Sequence, residues 1–119
     1  MNYIQLPVTG DPYQVIYLPV SPDGNAFRAK VELRYLPAPD RWFLSVSDAA
    51  AGTLFVNQIP VICSYRELND LFVPFRWQFR GSGIGSFFCL KAVDVPSSPD
   101  PSRNNLNEFR LIWGNRWKE

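Results

Sequence analysis

The stretch Ala26-Phe27-Arg28-Ala29-Lys30-Val31-Glu32-Leu33-Arg34-Tyr35 decides the fold class. Phe27, Ala29, Val31, Leu33 and Tyr35 alternate with Arg28, Lys30, Glu32 and Arg34. Side chains on a strand point to opposite faces at period two, so this pattern gives one apolar and one wetted face. Pro37-Ala38-Pro39-Asp40 follows, a turn made of residues that fix φ or bond their own backbone. The alternation then resumes from Arg41 to Asp48, with Trp42, Leu44 and Val46 set against Phe43, Ser45 and Ser47. The two segments predict an antiparallel hairpin.

The same period recurs outward from that hairpin. Tyr3–Leu6 and Tyr13–Leu18 precede it; Thr53–Asn57, Pro60–Cys63, Ser86–Val93 and a closing strand with Phe109, Leu111 and Trp113 follow it. Phe75, Trp77 and Phe79 alternate with Arg76, Gln78 and Arg80. Asp48 to Gly52 reads as a short turn. Ser64 to Leu71 is the one helical candidate, because Ser64 and Glu67 have capping-box spacing. Eleven prolines are scattered along the chain, and proline inside a helix costs about 3 kcal/mol. The expectation is an all-β domain: a compact antiparallel β-barrel or β-sandwich of seven or eight short strands, with little or no helix.

The chain has 119 residues, a length suited to a single β domain over residues 1–119. Aromatics reach 15%, which argues against disorder. The net charge is +1, without the basic excess typical of nucleic-acid-binding chains. No run approaches the roughly 18 apolar residues of a membrane helix. The opening residues lack the basic and apolar regions of a signal peptide, so a cytoplasmic origin is expected. Residues 95–107 form a long loop rich in Pro, Ser, Asn and Asp; such loops are functional or mobile.

Candidate chemistry is sparse. There is no histidine, which removes imidazole bases and His-ligated zinc. Cys63 and Cys89 lack CxxC spacing and read as reduced, buried small hydrophobes, with a disulfide between neighbouring strands as the alternative. Asp48, Glu67, Asp70 and Asp94 are the carboxylates that could pair for glycosidase chemistry, but nothing in the sequence sets them on facing strands. Asp48 and Asp94 sit at strand ends, where Asp forms turns. Gly81-Ser-Gly-Ile-Gly85 lacks the spacing of a phosphate loop and is followed by a strand-like run, so it reads as a hairpin loop. Phe75 to Arg80 could stack on single-stranded nucleic acid, but its rings and arginines fall on opposite strand faces.

The strongest functional signal is aromatic and near the C-terminus. Trp113 belongs to an apolar alternation, whereas Trp117 lies beyond Gly114. Interface hot spots favour Trp, Tyr and Arg, so Trp77, Arg110, Trp113, Arg116 and Trp117 are the candidate protein-contact residues. No catalytic residue, metal site or cofactor is expected.

The order of motifs resembles the baseplate plug family of contractile-tailed phages, of the cyanophage type. The likeness runs through Ile4-Gln5-Leu6-Pro7 and Val31–Tyr35. It is strongest in Arg41-Trp-Phe-Leu-Ser-Val-Ser-Asp48, with Gly52 and Leu54 after it. Ile59–Ile62, Tyr65, the Pro96–Asn105 loop and Phe109-Arg-Leu-Ile-Trp113 complete it. The resemblance implies a non-enzymatic virion structural protein in a tail baseplate, assembled in the host cytoplasm. Its implied partners are the hub, spike or tail tube, in a symmetric assembly, with no nucleic acid and no membrane. A ligand-binding β module, for example one that binds carbohydrate through exposed aromatic platforms, is the competing expectation.

Overall fold

A computed structural model describes residues 3–18, 28–64, 70–72 and 85–114. The Phe75–Phe79 alternation, residues 81–84 of the glycine cluster, Trp77, Arg116 and Trp117 lie outside the described residues, as does most of the Ser64–Leu71 helical candidate.

The described chain is all-β. Its strands are β1 (Tyr3–Gln5), β2 (Tyr13–Leu18), β3 (Ala29–Leu36), β4 (Arg41–Asp48), β5 (Leu54–Pro60), β6 (Cys63–Ser64), β7 (Ser86–Lys91) and β8 (Phe109–Gly114). A 3-10 turn, Leu106–Glu108, leads into β8. The strands form two four-stranded sheets, ordered β1-β8-β7-β6 and β2-β3-β4-β5. Among the described residues no strand ladder joins the two sheets, so the arrangement is sandwich-like and not a closed barrel.

The β3–β4 hairpin runs in unbroken register from Ala29↔Asp48 to Leu36↔Arg41. Its inner face buries Ala29, Val31, Leu33, Trp42, Leu44 and Val46, as the alternation predicts. At the tip Asp40 N–H bonds to the Pro37 carbonyl at 3.0 Å. Asp40 there takes φ 51°, a left-handed conformation that Asp tolerates better than most residues. At the other end Asp48 Oδ1 accepts the N–H groups of Ala50 and Ala51, and Gly52 returns the chain with φ 75°. Asp48 is thus a turn former, and its carboxylate is occupied by backbone.

From the first sheet, Phe87, Cys89, Leu111 and Trp113 meet the β3–β4 face, and Leu6, Phe72 and Leu106 seal the margins. Phe72 stacks on Phe87 at 5.2 Å and meets Trp113 edge-on at 6.0 Å. Strand β7 is buried over Ser86–Cys89, which fits its near-continuous apolar run.

Two details depart from the sequence reading. Thr53–Asn57 and Pro60–Cys63 are not two similar strands: β5 continues to Pro60, with register shifts between Leu44 and Val46 and between Val46 and Ser47. Gln58 absorbs the irregularity at φ 49°, its N–H held by Ser45 Oγ at 2.9 Å. The sheets are also not wholly antiparallel. β6 pairs with β7 in parallel, placing Cys63 directly beside Cys89. Both cysteines are buried thiols with no disulfide between them, and burial pushes the Cys89 thiol pKa far up.

Candidate functional site

The 95–107 loop is a latch with its own polar scaffold. Trp42 Nε1 donates to the Ser102 carbonyl at 2.7 Å. Asp100 accepts the Cys63 N–H on Oδ1 at 2.8 Å and pairs with Arg41 through Oδ2 at 3.2 Å. One carboxylate therefore ties the loop to both sheets. Asn105, itself buried, accepts from the Ser102 N–H at 2.6 Å and donates to Ser98 Oγ at 2.7 Å. Ser97 is held by Glu108. The loop's polar groups thus satisfy one another locally while Leu106 enters the core.

The latch reaches the β3–β4 turn through Asp40. Ser102 Oγ donates to Asp40 Oδ1 at 2.6 Å, and the Tyr35 hydroxyl donates to the same oxygen. These bonds, the Ser102 one foremost, hold the Asp40 carboxyl below its ordinary value of 3.8. The same carboxylate raises the Tyr35 pKa above its ordinary 10.0.

Beside the latch lies an open groove of about 500 Å³ between the 8–10 segment and Arg103, Asn104, Leu106 and Asn107. Arg103 Nη1 donates to the Gly10 carbonyl at 2.8 Å, which closes one side. The opposite wall is organised by Gln14. Its amide accepts from the Thr9 N–H and donates to the carbonyls of Thr9 and Asp11. No aromatic ring lines the groove among the described residues.

Among the described residues, the most exposed aromatic rings lie on the second sheet. Tyr13 and Tyr17, on edge strand β2, are 47% and 65% exposed. The Arg34 guanidinium sits over the Tyr13 ring at 5.1 Å from its centre. The Tyr13 hydroxyl donates to Glu32 at 3.0 Å, and Lys30 pairs with Glu32 at 3.4 Å. The result is a surface of two tyrosines braced by an Arg-Glu-Lys row.

The candidate contact residues are divided by this geometry. Arg110 is exposed on the outer face of β8. Trp113, three residues on, points inward and is buried against Phe72. Period two places positions 110 and 113 on opposite faces, so they form no common patch. Asp70 is placed by local bonding: it accepts the N–H groups of Phe72 and Phe87 and the Ser86 hydroxyl. That carboxylate staples the 70–72 segment to β7. Glu67 lies outside the described residues. Sequence reasoning missed Tyr13, Tyr17 and Gln14; the uncharged Tyr13–Leu18 segment was the available signal for the tyrosines.

No protein-family model matches the chain, and no curated protein matches it.

Proposed function

We propose that this chain is a non-enzymatic structural component of a contractile phage tail baseplate. It would act plug-like near the central hub, spike or tube end, by protein–protein packing. The sequence resemblance is the starting point. The observation that supports it best is where the resembling residues lie. Trp42, Leu44 and Val46 fill the core, Asp100 and Ser102 fasten the latch, and Phe109, Leu111 and Trp113 complete the inner face of β8. The shared motif is therefore a fold-defining one, whose residues are committed to internal packing. Contact with neighbours then falls to the exposed surface, where Arg110, Tyr13 and Tyr17 have the composition of interface hot spots.

The test is localisation in the particle. Antibody against the chain is expected to label the distal end of purified contractile tails, and the chain is expected to co-sediment with tube and hub. Tails that lack the chain would overturn the reading. The groove beside Arg103 favours one second reading, a ligand-binding β module, carbohydrate included. Saturable binding to a member of a glycan panel, lost in Arg103→Ala, would support it.

A further inference from the structure

Strand β2 forms one edge of the second sheet, and β3 is its neighbour. The direction of its backbone groups follows from one bond. Tyr35 N–H bonds to the Pro12 carbonyl at 2.7 Å. Antiparallel ladders alternate bonded and non-bonded pairs, so Gln14, Ile16 and Leu18 direct their backbone groups at β3. The N–H and C=O groups of Tyr13, Val15 and Tyr17 point away from the sheet. Among the described residues nothing pairs with them.

Exposed strand edges are usually blunted by charge, proline or a bulge. The far edge of this sheet has such devices. Strand β5 carries two register shifts, a left-handed Gln58 and Pro60. Strand β2 has none of them. Its six residues, Tyr-Gln-Val-Ile-Tyr-Leu, contain no charge and no proline and keep continuous register with β3.

We propose that β2 is a self-association edge, pairing antiparallel with β2 of a second copy of this chain about a two-fold axis at Val15. The outward trio is self-complementary in that register. Tyr13 meets the partner's Tyr17, and Val15 meets its own counterpart. The outward N–H and C=O groups of the three residues on each chain then satisfy one another. The two β2–β5 sheets, four described strands in each, become one continuous sheet. The neighbouring row accepts this pairing electrostatically. Arg34 lies beside Tyr13 and Lys30 beside Tyr17, each a full strand back from the new seam. No like charges come directly opposite, and Glu32 is already neutralised locally by Lys30 and the Tyr13 hydroxyl. The uncharged edge offers no side chain that selects a charged foreign strand, whereas its own copy fits it residue for residue. Pairing also covers the two most exposed tyrosines of the described chain. The dimer edge stands on the fold alone, whatever particle the chain belongs to.

Light scattering on the full chain, from about 1 to about 100 μM, spans the range in which a strand-sized interface equilibrates. The expected mass rises from 13.6 kDa toward twice that value. Val15→Pro removes one outward N–H and leaves the β3 ladder intact, so it is expected to stay monomeric with an unchanged circular dichroism spectrum. Val15→Lys and Val15→Glu give a second arm, because the two-fold sets position 15 against itself. Each alone is expected to be monomeric, and their mixture to dimerise. A wild-type monomer throughout, a different stoichiometry, or a dimer untouched by Val15→Pro and by both charged variants would overturn the proposal.

Discussion

The indole N–H of Trp42 bonds to the carbonyl of Ser102, sixty residues away in sequence, at 2.7 Å. The ring of Trp42 lies wholly in the core, yet its one polar atom reaches the latch. A buried Trp needs such a partner, and here the partner fixes a long loop against a rigid hairpin. Trp42→Phe keeps most of the apolar volume and deletes the donor. It is expected to lower unfolding free energy by about 1–3 kcal/mol, the usual cost of a lost buried hydrogen bond with some lost packing. Urea denaturation followed by Trp fluorescence measures this; a loss below a few tenths would show the bond to be dispensable.

Asp100 fastens the same latch from the other side. Its two oxygens serve different partners, the Cys63 N–H and Arg41. Asp100→Asn keeps an acceptor for the N–H and loses the ion pair, which is partly exposed and contributes little. Asp100→Ala loses both. The expected order of stability is wild type, then Asn close below it, then Ala about 2 kcal/mol lower. Equal losses in the two variants would mean that the ion pair dominates.

How much of this was legible in the sequence depends on the range of each interaction. The β3–β4 hairpin was readable because strict alternation with a Pro-Asp turn is local information. The path of β5 was not, because its continuation to Pro60 needs a left-handed Gln58, and glutamine carries no sequence signal for that conformation. The parallel β6–β7 pair was hidden by its length of two residues and its reach from Cys63 to Cys89. Asp100, Ser102 and Asn105 read as generic loop formers; their roles come from partners that only the fold brings near. Trp113 shows the converse. Its inward direction followed from alternation with Phe109 and Leu111, although its residue type also suggested a contact surface.

The Asp40 cluster predicts an acid-sensitive latch. Ser102 and Tyr35 hydroxyls stabilise the ionised carboxylate, so its folded pKa lies below the ordinary 3.8. A depressed carboxyl pKa contributes stability that is present above the unfolded value and lost as pH falls through the folded one. Tyr35 has the opposite sign. Its folded pKa is raised, so its contribution holds below pH 10 and fades as pH climbs through the raised value. Asp40 is exposed and Tyr35 only half-buried, so the effect is small. Asp40→Asn is expected to shrink the fall in stability below about pH 4 by lowering stability slightly at neutral pH, with the most acid region nearly unchanged. Thermal melts at stepped pH check this, and an acid limb identical to wild type would reassign the sensitivity to other carboxylates.

The paired cysteines predict inertness in the folded chain. Desolvation raises the Cys89 pKa, and the neighbouring Cys63 raises it further. The thiolate is the reactive form, so neither thiol should meet a reagent except through unfolding. Ellman's reagent is expected to find no reactive thiol in the native chain and both in guanidinium. Labelling in water should then follow the population of the unfolded state, and destabilising Trp42→Phe should speed it in proportion. Fast labelling of wild type that ignores Trp42→Phe would mean a local opening at β6, whose two residues are the shortest strand of its sheet.

Trp113 and Arg110 provide a direct contrast between core and surface on one strand. Trp113→Ala empties a buried site beside Phe72 and Phe87 and is expected to cost about 3–5 kcal/mol. Arg110→Ala, on the outer face, is expected to change stability by no more than about 0.5 kcal/mol. If Arg110 serves as a contact with baseplate neighbours, its loss should instead weaken incorporation into tails, with the melting temperature held. Competition between wild-type and Arg110→Ala chains for the same particles separates the two effects. Equal incorporation would remove Arg110 from the contact surface.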